Sequence, residues 1–162
     1  MLFKKKKNTK IFGDTDIVAP VDGDLFPIEE VRDSVFAQQM LGQSVSIRPS
    51  AGELTLVAPA NGVLEVLYPT GHAYAVKMNN GIELLVHIGI DTVELKGKYF
   101  EVLEKQGTAV TAGQPIVKVD FDGVKNAGYD SSVMMIVTEN PDDSELAFLQ
   151  NQSVYAADII LL

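Results

Sequence analysis

The chain has 162 residues and no cysteine, with 46% hydrophobic and 22% charged residues, the balance of a globular domain large enough to bury a core. Lacking cysteine, it has no disulfides, thiolate catalysis or Cys-based metal sites, which fits a reducing compartment; no apolar run reaches bilayer length and no signal-type apolar segment follows the first lysines, so the expected location is the cytoplasm. The net charge is −9, yet Lys4 to Lys7 and Lys10 hold five of the 13 basic residues, leaving eight against 22 acidic ones in the body, which argues against nucleic acid as a partner.

Residues 1–13 (MLFKKKKNTKIFG) read as a flexible basic tail, and 14–162 as one domain. Leu2 and Phe3 before Lys4–Lys7 suit weak contact with an anionic leaflet, although a solvated terminus is the plainer reading. From Asp16 onward, short apolar pieces alternate with Gly, Pro and Asn, the rhythm of an all-β antiparallel sandwich or barrel-sandwich hybrid. Val18 to Leu25 and Val57 to Leu64 both spell V-A-P-x-(D/N)-G-x-L, which points to an internally duplicated β unit. Residues 33–42 (DSVFAQQMLG) predict a helix of about two turns, started by Asp33 or Ser34 and ended at Gly42. Beyond the central stretch, 110–120 predicts a turn and a strand, 122–128 a helical turn, 133–138 a buried strand, 139–145 an acidic loop, and 154–162 a closing strand.

The central stretch, Pro69 to Leu95, holds both histidines of the chain, His72 and His87. Residues 72–78 and 81–87 read as two strands joined at Asn79-Asn80, with Gly81 next, residues that tolerate the positive φ of hairpin turns. A two-residue loop at Asn79-Asn80 puts His72 directly opposite His87. A loop at Asn80-Gly81 makes them diagonal neighbours on one face. Only a one-residue slip or a bulge would send them to opposite faces.

Paired imidazoles suit a few kinds of chemistry. A zinc site needs three or four protein ligands, and His87-x-x-x-Asp91, as in some zinc peptidases, lacks an H-x-H to complete it. Phosphoryl transfer through a phosphohistidine needs a neutral ring nitrogen whose partner nitrogen is held by a carbonyl or carboxylate. The transferred group then needs positioned donors: a second imidazole, or backbone N–H groups near Gly89. Thr70, two residues before His72, can orient that ring, and Asp91 can tune the donors. A third reading is a biotinyl- or lipoyl-type carrier, since Ala75-Val76-Lys77-Met78 is close to A-M-K-M. A purely structural pair is the fourth. No G-x-x-x-x-G-K-[ST] loop is present, so nothing suggests a nucleotide as the phosphate source.

Gly81 to Val93 (GIELLVHIGIDTV) closely resembles the active-site signature of the glucose-type enzyme IIA of the bacterial phosphoenolpyruvate:sugar phosphotransferase system. Thr70-Gly71-His72-Ala73 is similar to that family's T-x-H-A segment, and the two V-A-P repeats, Val35-Phe36-Ala37, Met40-Leu41-Gly42 and Leu95-Lys96-Gly97 follow in family order. The resemblance covers about residues 14–162. It implies a phosphoryl carrier in which His87 accepts the group from the phosphocarrier protein HPr and passes it to a cysteine of enzyme IIB. His72 then stabilises the group and aids onward transfer, with Thr70 hydrogen-bonded to it. The implied partner surface combines Val35, Phe36, Met40, Leu41, Tyr68, Leu85 and Val93 with acidic Asp33, Asp91 and Glu94. No cofactor is required, and zinc on His72 and His87 is implied only with a carboxylate from a partner. Gln38, Gln39 and Gln43 stand where the family often has charged residues, and the 139–145 loop is atypical.

Overall fold

The computed structural model describes residues 10–162. Its main sheet has eight antiparallel strands in the order β11-β1-β2-β10-β6-β5-β4-β8. These are β1 (Gly23–Phe26), β2 (Gln43–Pro49), β4 (Gly62–Leu67), β5 (Ala73–Met78), β6 (Glu83–Ile88), β8 (Ala109–Val110), β10 (Val133–Glu139) and β11 (Ser153–Val154). A smaller sheet, β3-β9-β7, is formed by β3 (Glu53–Val57), β7 (Phe100–Val102) and β9 (Pro115–Asp120). Leu56, Val117 and Val119 of the small sheet join Val76, Leu84, Val86, Met135 and others of the large one in a single buried cluster, so the two sheets form a sandwich. Among the described residues, no helix is long and apolar enough to cross a membrane.

Alternation along the strands decides which face each residue serves. In β6, Leu84, Val86 and Ile88 are fully buried, whereas Glu83, Leu85 and His87 lie on the other face. β10 is apolar on both faces because both are covered. Val133, Met135 and Val137 enter the main core, while Met134 and Ile136 join Phe26, Ile28, Val31 and Phe36 in a second cluster outside the sheet. The crossover between β1 and β2, residues 27–42, supplies that outer cover.

The duplicated motif is a structural repeat. Val18 N–H donates to the Pro59 carbonyl and Val57 N–H to the Pro20 carbonyl, at 2.8 and 2.9 Å, so the two V-A-P segments pair with each other reciprocally. Ala19 N–H donates to the Asp158 carbonyl and Ala58 N–H to that of Gln114. Asp22 Oδ1 accepts from Ala156 N–H at 2.7 Å, and Asn61 Oδ1 from Ala112 N–H at 2.8 Å. Gly23 faces Pro49 as Gly62 faces Met78. The strand order therefore reads the same from either end, with β10 and β6 in the middle.

Local structure departs from expectation in three places. The helix of 33–42 is only one turn, α1 (Ser34–Ala37), because Gln39 takes φ 54° and the chain reverses there. The helical turn near 122–128 begins one residue earlier, as α2 (Phe121–Asn126), capped by Asp120. The expected closing strand over 154–162 is reduced to β11 and two isolated bridges, Val18–Ile159 and Phe148–Leu161. Most of the basic tail falls outside the described residues; of its last part, the Phe12 carbonyl accepts from Asn61 Nδ2 at 2.9 Å.

Candidate functional site

The hairpin of β5 and β6 turns through three residues, Asn79-Asn80-Gly81. Met78 N–H donates to the Ile82 carbonyl at 2.8 Å. Ala73, not His72, stands opposite His87. The register is thus shifted by one from both expected loops, and strict alternation would place the rings on opposite faces. They meet nonetheless, with centroids 5.5 Å apart and planes at 79°.

The reason lies at the entrance to β5. His72 precedes the strand, and its carbonyl is already paired with Ile88 N–H at 2.8 Å. The residue before it, Gly71, has φ 77°, a conformation that costs any residue with a Cβ. The pleat therefore starts only at Ala73, and the His72 side chain is free to lie on the outer face beside His87.

Each ring is held at Nδ1. His87 Nδ1 lies 2.8 Å from the Gly89 carbonyl oxygen, which can only accept, so the proton sits on Nδ1 and the Nε2 lone pair is free. Gly89 has φ 76°, and a Cβ there would fall 2.5 Å from Thr92 Cγ2 and 2.9 Å from the Asp130 oxygen; only glycine brings this carbonyl back to the ring. The His72 Nδ1 lies 2.6 Å from Thr70 Oγ1. Phe36 packs on His87 with centroids 5.0 Å apart, and Tyr68 on His72 at 4.9 Å.

Burial lowers the pKa of both rings below the ordinary 6.5, because a charged imidazolium is poorly solvated there. For His87 the Gly89 carbonyl opposes that shift, His72 adds to it, and the carboxylates of Asp33 and Asp91 oppose it. The arrangement is a neutral nucleophilic nitrogen beside a second neutral ring.

The chain matches the family model described as phosphoenolpyruvate-dependent sugar phosphotransferase system, EIIA 1, over residues 15–143. The chain belongs to this EIIA family. It is similar to the PTS system glucose-specific EIIA component of Staphylococcus epidermidis, 38% identical over 145 residues, which are 90% of this chain and 82% of that protein. It is 39% identical over 146 residues to the glucose-specific EIICBA component of Staphylococcus carnosus, of whose length it spans 21%. Among solved structures, the glucose permease IIA from Mycoplasma capricolum superposes with a TM-score of 0.81 at 34% identity, covering 90% of this chain and 93% of that one. The protein is thus a phosphoryl carrier of the glucose-type EIIA class, on a mostly β antiparallel sandwich with two short helices.

Of the expected partner surface of this EIIA, Val35, Met40, Leu41, Tyr68 and Val93 are exposed apolar side chains, and Tyr68 packs on His72. Phe36 is not: only 9% of it is accessible, since it fills the outer cluster against His87. Leu85, half-buried, packs on the same cluster. Asp33 caps α1 by accepting from Val35 N–H at 2.9 Å, and Glu94 accepts from the Tyr129 hydroxyl at 3.2 Å. The backbone donors expected near Gly89 are engaged elsewhere: Gly89 N–H bonds the Ser132 carbonyl and Ile90 N–H that of Asp130. Lys77 is no hairpin-tip lysine of the biotinyl kind, being ion-paired with Glu139 and opposite Glu83 within the sheet. Among the described residues, no three His, Cys, Asp or Glu side chains converge on a metal position. Gly71 and the Gly89 carbonyl were not among the expected site groups; a glycine within two residues of each histidine is the feature that marks them.

Proposed function

We propose that His87 carries the phosphoryl group and that His72 steadies it. The observation that supports this most is the Nδ1 bond of His87 to the Gly89 carbonyl, which leaves Nε2 as the one nucleophilic nitrogen of that ring. The Nε2 lone pair forms a bond to phosphorus as the donor's P–N bond breaks, and that electron pair stays on the donor's ring. The Nδ1 proton remains on His87 throughout, its charge eased by the Gly89 carbonyl and by Asp33 and Asp91. When the Thr70 hydroxyl donates to His72 Nδ1, His72 holds its proton on Nε2 and offers that N–H to a phosphoryl oxygen. Charge on those oxygens grows in the transition state, where a fixed donor is worth most.

Phosphorylated HPr is the donor and a cysteine of enzyme IIB the acceptor in this reading, which places the reaction in the cytoplasm. Val35, Met40, Leu41, Tyr68 and Val93 form the docking surface, with Phe36 and Leu85 backing it and Asp33, Asp91 and Glu94 as its acidic edge. An exposed apolar patch with a charged rim suits brief contacts with a basic partner. The two imidazoles fit half of a tetrahedral zinc set, and the other ligands, a partner's carboxylate among them, would have to come from outside the chain. Incubation with enzyme I, HPr and labelled phosphoenolpyruvate tests the reading. An acid-labile, alkali-stable label on the His87 peptide is expected, and label confined to His72 would overturn it.

A further inference from the structure

Gln39 and Gln43 stand where the resembled family often has charged residues, and the side-chain amide of each bonds the backbone of another residue. The one-turn α1 is far too short to hold its shape alone, and the chain after it carries Met40 and Leu41, 66% and 49% exposed. In the chain these two residues lie between the two glutamines. Gln39, at φ 54°, accepts from the Ser44 N–H through Oε1 at 2.9 Å, and its own carbonyl accepts from Gly42 N–H at 3.1 Å. Gln43 uses both ends of its amide on one residue 103 positions away: Nε2 donates to the Leu146 carbonyl at 2.5 Å, and Oε1 accepts from Leu146 N–H at 2.8 Å. The side-chain amide thus pairs with the 144–149 segment as a neighbouring strand would. The Ser44 hydroxyl closes the loop by donating to the Gly42 carbonyl at 2.9 Å.

We propose that Gln39 and Gln43 are positioning residues that hold the Met40–Leu41 edge in place for the phosphoryl donor, Gln43 by clamping it to the 144–149 segment. This rests on the reading of that edge as part of the docking surface. A preformed edge loses less conformational freedom when a partner binds, so loosening it weakens binding and leaves the chemistry at His87 alone.

The two amides differ in a way that isolates their roles. Gln39 only accepts, so a carboxylate at that position keeps the bond to Ser44 N–H. Gln43 must donate as well as accept, and a carboxylate there would face the Leu146 carbonyl with no proton to offer. The experiment takes Gln39→Ala, Gln39→Glu, Gln43→Ala and Gln43→Glu. It measures amide hydrogen exchange at Met40 and Leu41, KM and kcat for acceptance from phosphorylated HPr, and the urea midpoint as a check on folding.

Gln39→Ala, which loses one bond, should speed exchange and raise KM about fivefold, the effect of one ordinary hydrogen bond. Gln43→Glu, which loses the donated bond, should do at least as much, and Gln43→Ala, which loses two, should do more, all with kcat unchanged. Gln39→Glu should match the parent. Unchanged exchange in both alanine variants would overturn the clamp, as would a fall in kcat at constant KM. Faster exchange with an unchanged KM would instead keep the clamp and refute the docking role of this edge. The Gln39 and Gln43 series bond different partners, so either carries the test if one alanine variant fails to fold.

Discussion

His72 and His87 meet edge to face at 5.5 Å although the ladder puts Ala73, and not His72, across from His87. The contact is made by a residue outside the strand, held by the turn that feeds it. Their separate anchors, Thr70 for one and the Gly89 carbonyl for the other, suit the separate tasks proposed for them. His87→Gln should abolish acceptance of label from phosphorylated HPr. His72→Gln should still accept but pass the group on more slowly by about 10²- to 10³-fold, the usual effect of losing one transition-state donor. Single-turnover measurement of both half-reactions checks this, and full acceptance by the His87 variant would refute the assignment.

Gly71 makes the meeting of the rings possible. A Cβ there would sit 3.1 Å from Phe100 Cβ and 3.3 Å from Val102 Cγ2, at a φ that side chains disfavour. Gly71→Ala should therefore cost about 1–2 kcal/mol of stability from the backbone alone and shift the His72 ring. Urea unfolding and the donation rate report the two effects. A variant that loses stability but donates normally would show that the rings meet by another route.

The pH dependence follows from burial. Both rings have pKa values below the ordinary 6.5, so His87 stays neutral and nucleophilic at pH values where a free imidazole is largely protonated. Acceptance should hold as pH falls through 6.5 and fail only lower. Between the folded pKa values and 6.5 the unfolded chain binds more protons than the folded one, so stability falls as pH drops through that window. It levels off below the folded values, where both states are protonated. NMR titration of the two rings checks the order, and midpoints at or above 6.5 would contradict it.

Phe36 is buried against His87, with ring centroids 5.0 Å apart. Truncating it in Phe36→Ala should destabilise the protein by about 3 kcal/mol, the low end for a buried phenylalanine, because its cluster lies at the surface. The His87 pKa should move upward toward 6.5 as water reaches the ring. The same NMR titration, set beside a urea melt, separates the two consequences. An unmoved pKa in a destabilised variant would mean that other walls desolvate the ring.

Much of this site was legible in the amino-acid order because its parts are local. The hairpin, the two histidines, the Thr70 anchor and the apolar residues around Val35 all lie within short stretches whose patterns have a direct physical meaning. The turn length was not, because Asn79-Asn80-Gly81 suits two-residue and three-residue turns alike, and that choice alone sets the register. The extent of α1 depended on Gln39 adopting a left-handed backbone, which a residue with ordinary helix preference does not announce. The C-terminal stretch looked like a strand because Ile159 to Leu162 is apolar. Its backbone instead divides its bonds between Ile17 and the 147–149 segment, a partition set entirely by distant partners.

The reciprocal pairing of the two V-A-P segments has a consequence for how labour is divided between the halves of the molecule. Gln43 lies six residues before Pro49 as His72 lies six before Met78, so the amide and the imidazole are counterparts in the repeat. Ile136 is likewise the counterpart of His87, each three residues past its ladder mark at Val133 and Leu84. One copy of the unit thus presents ionisable rings, and the other presents an amide and a hydrocarbon at the matching positions. Protonation of the two rings thus has no equivalent at Gln43 and Ile136, so acid acts on one site of the repeat and finds nothing to titrate at its mirror position.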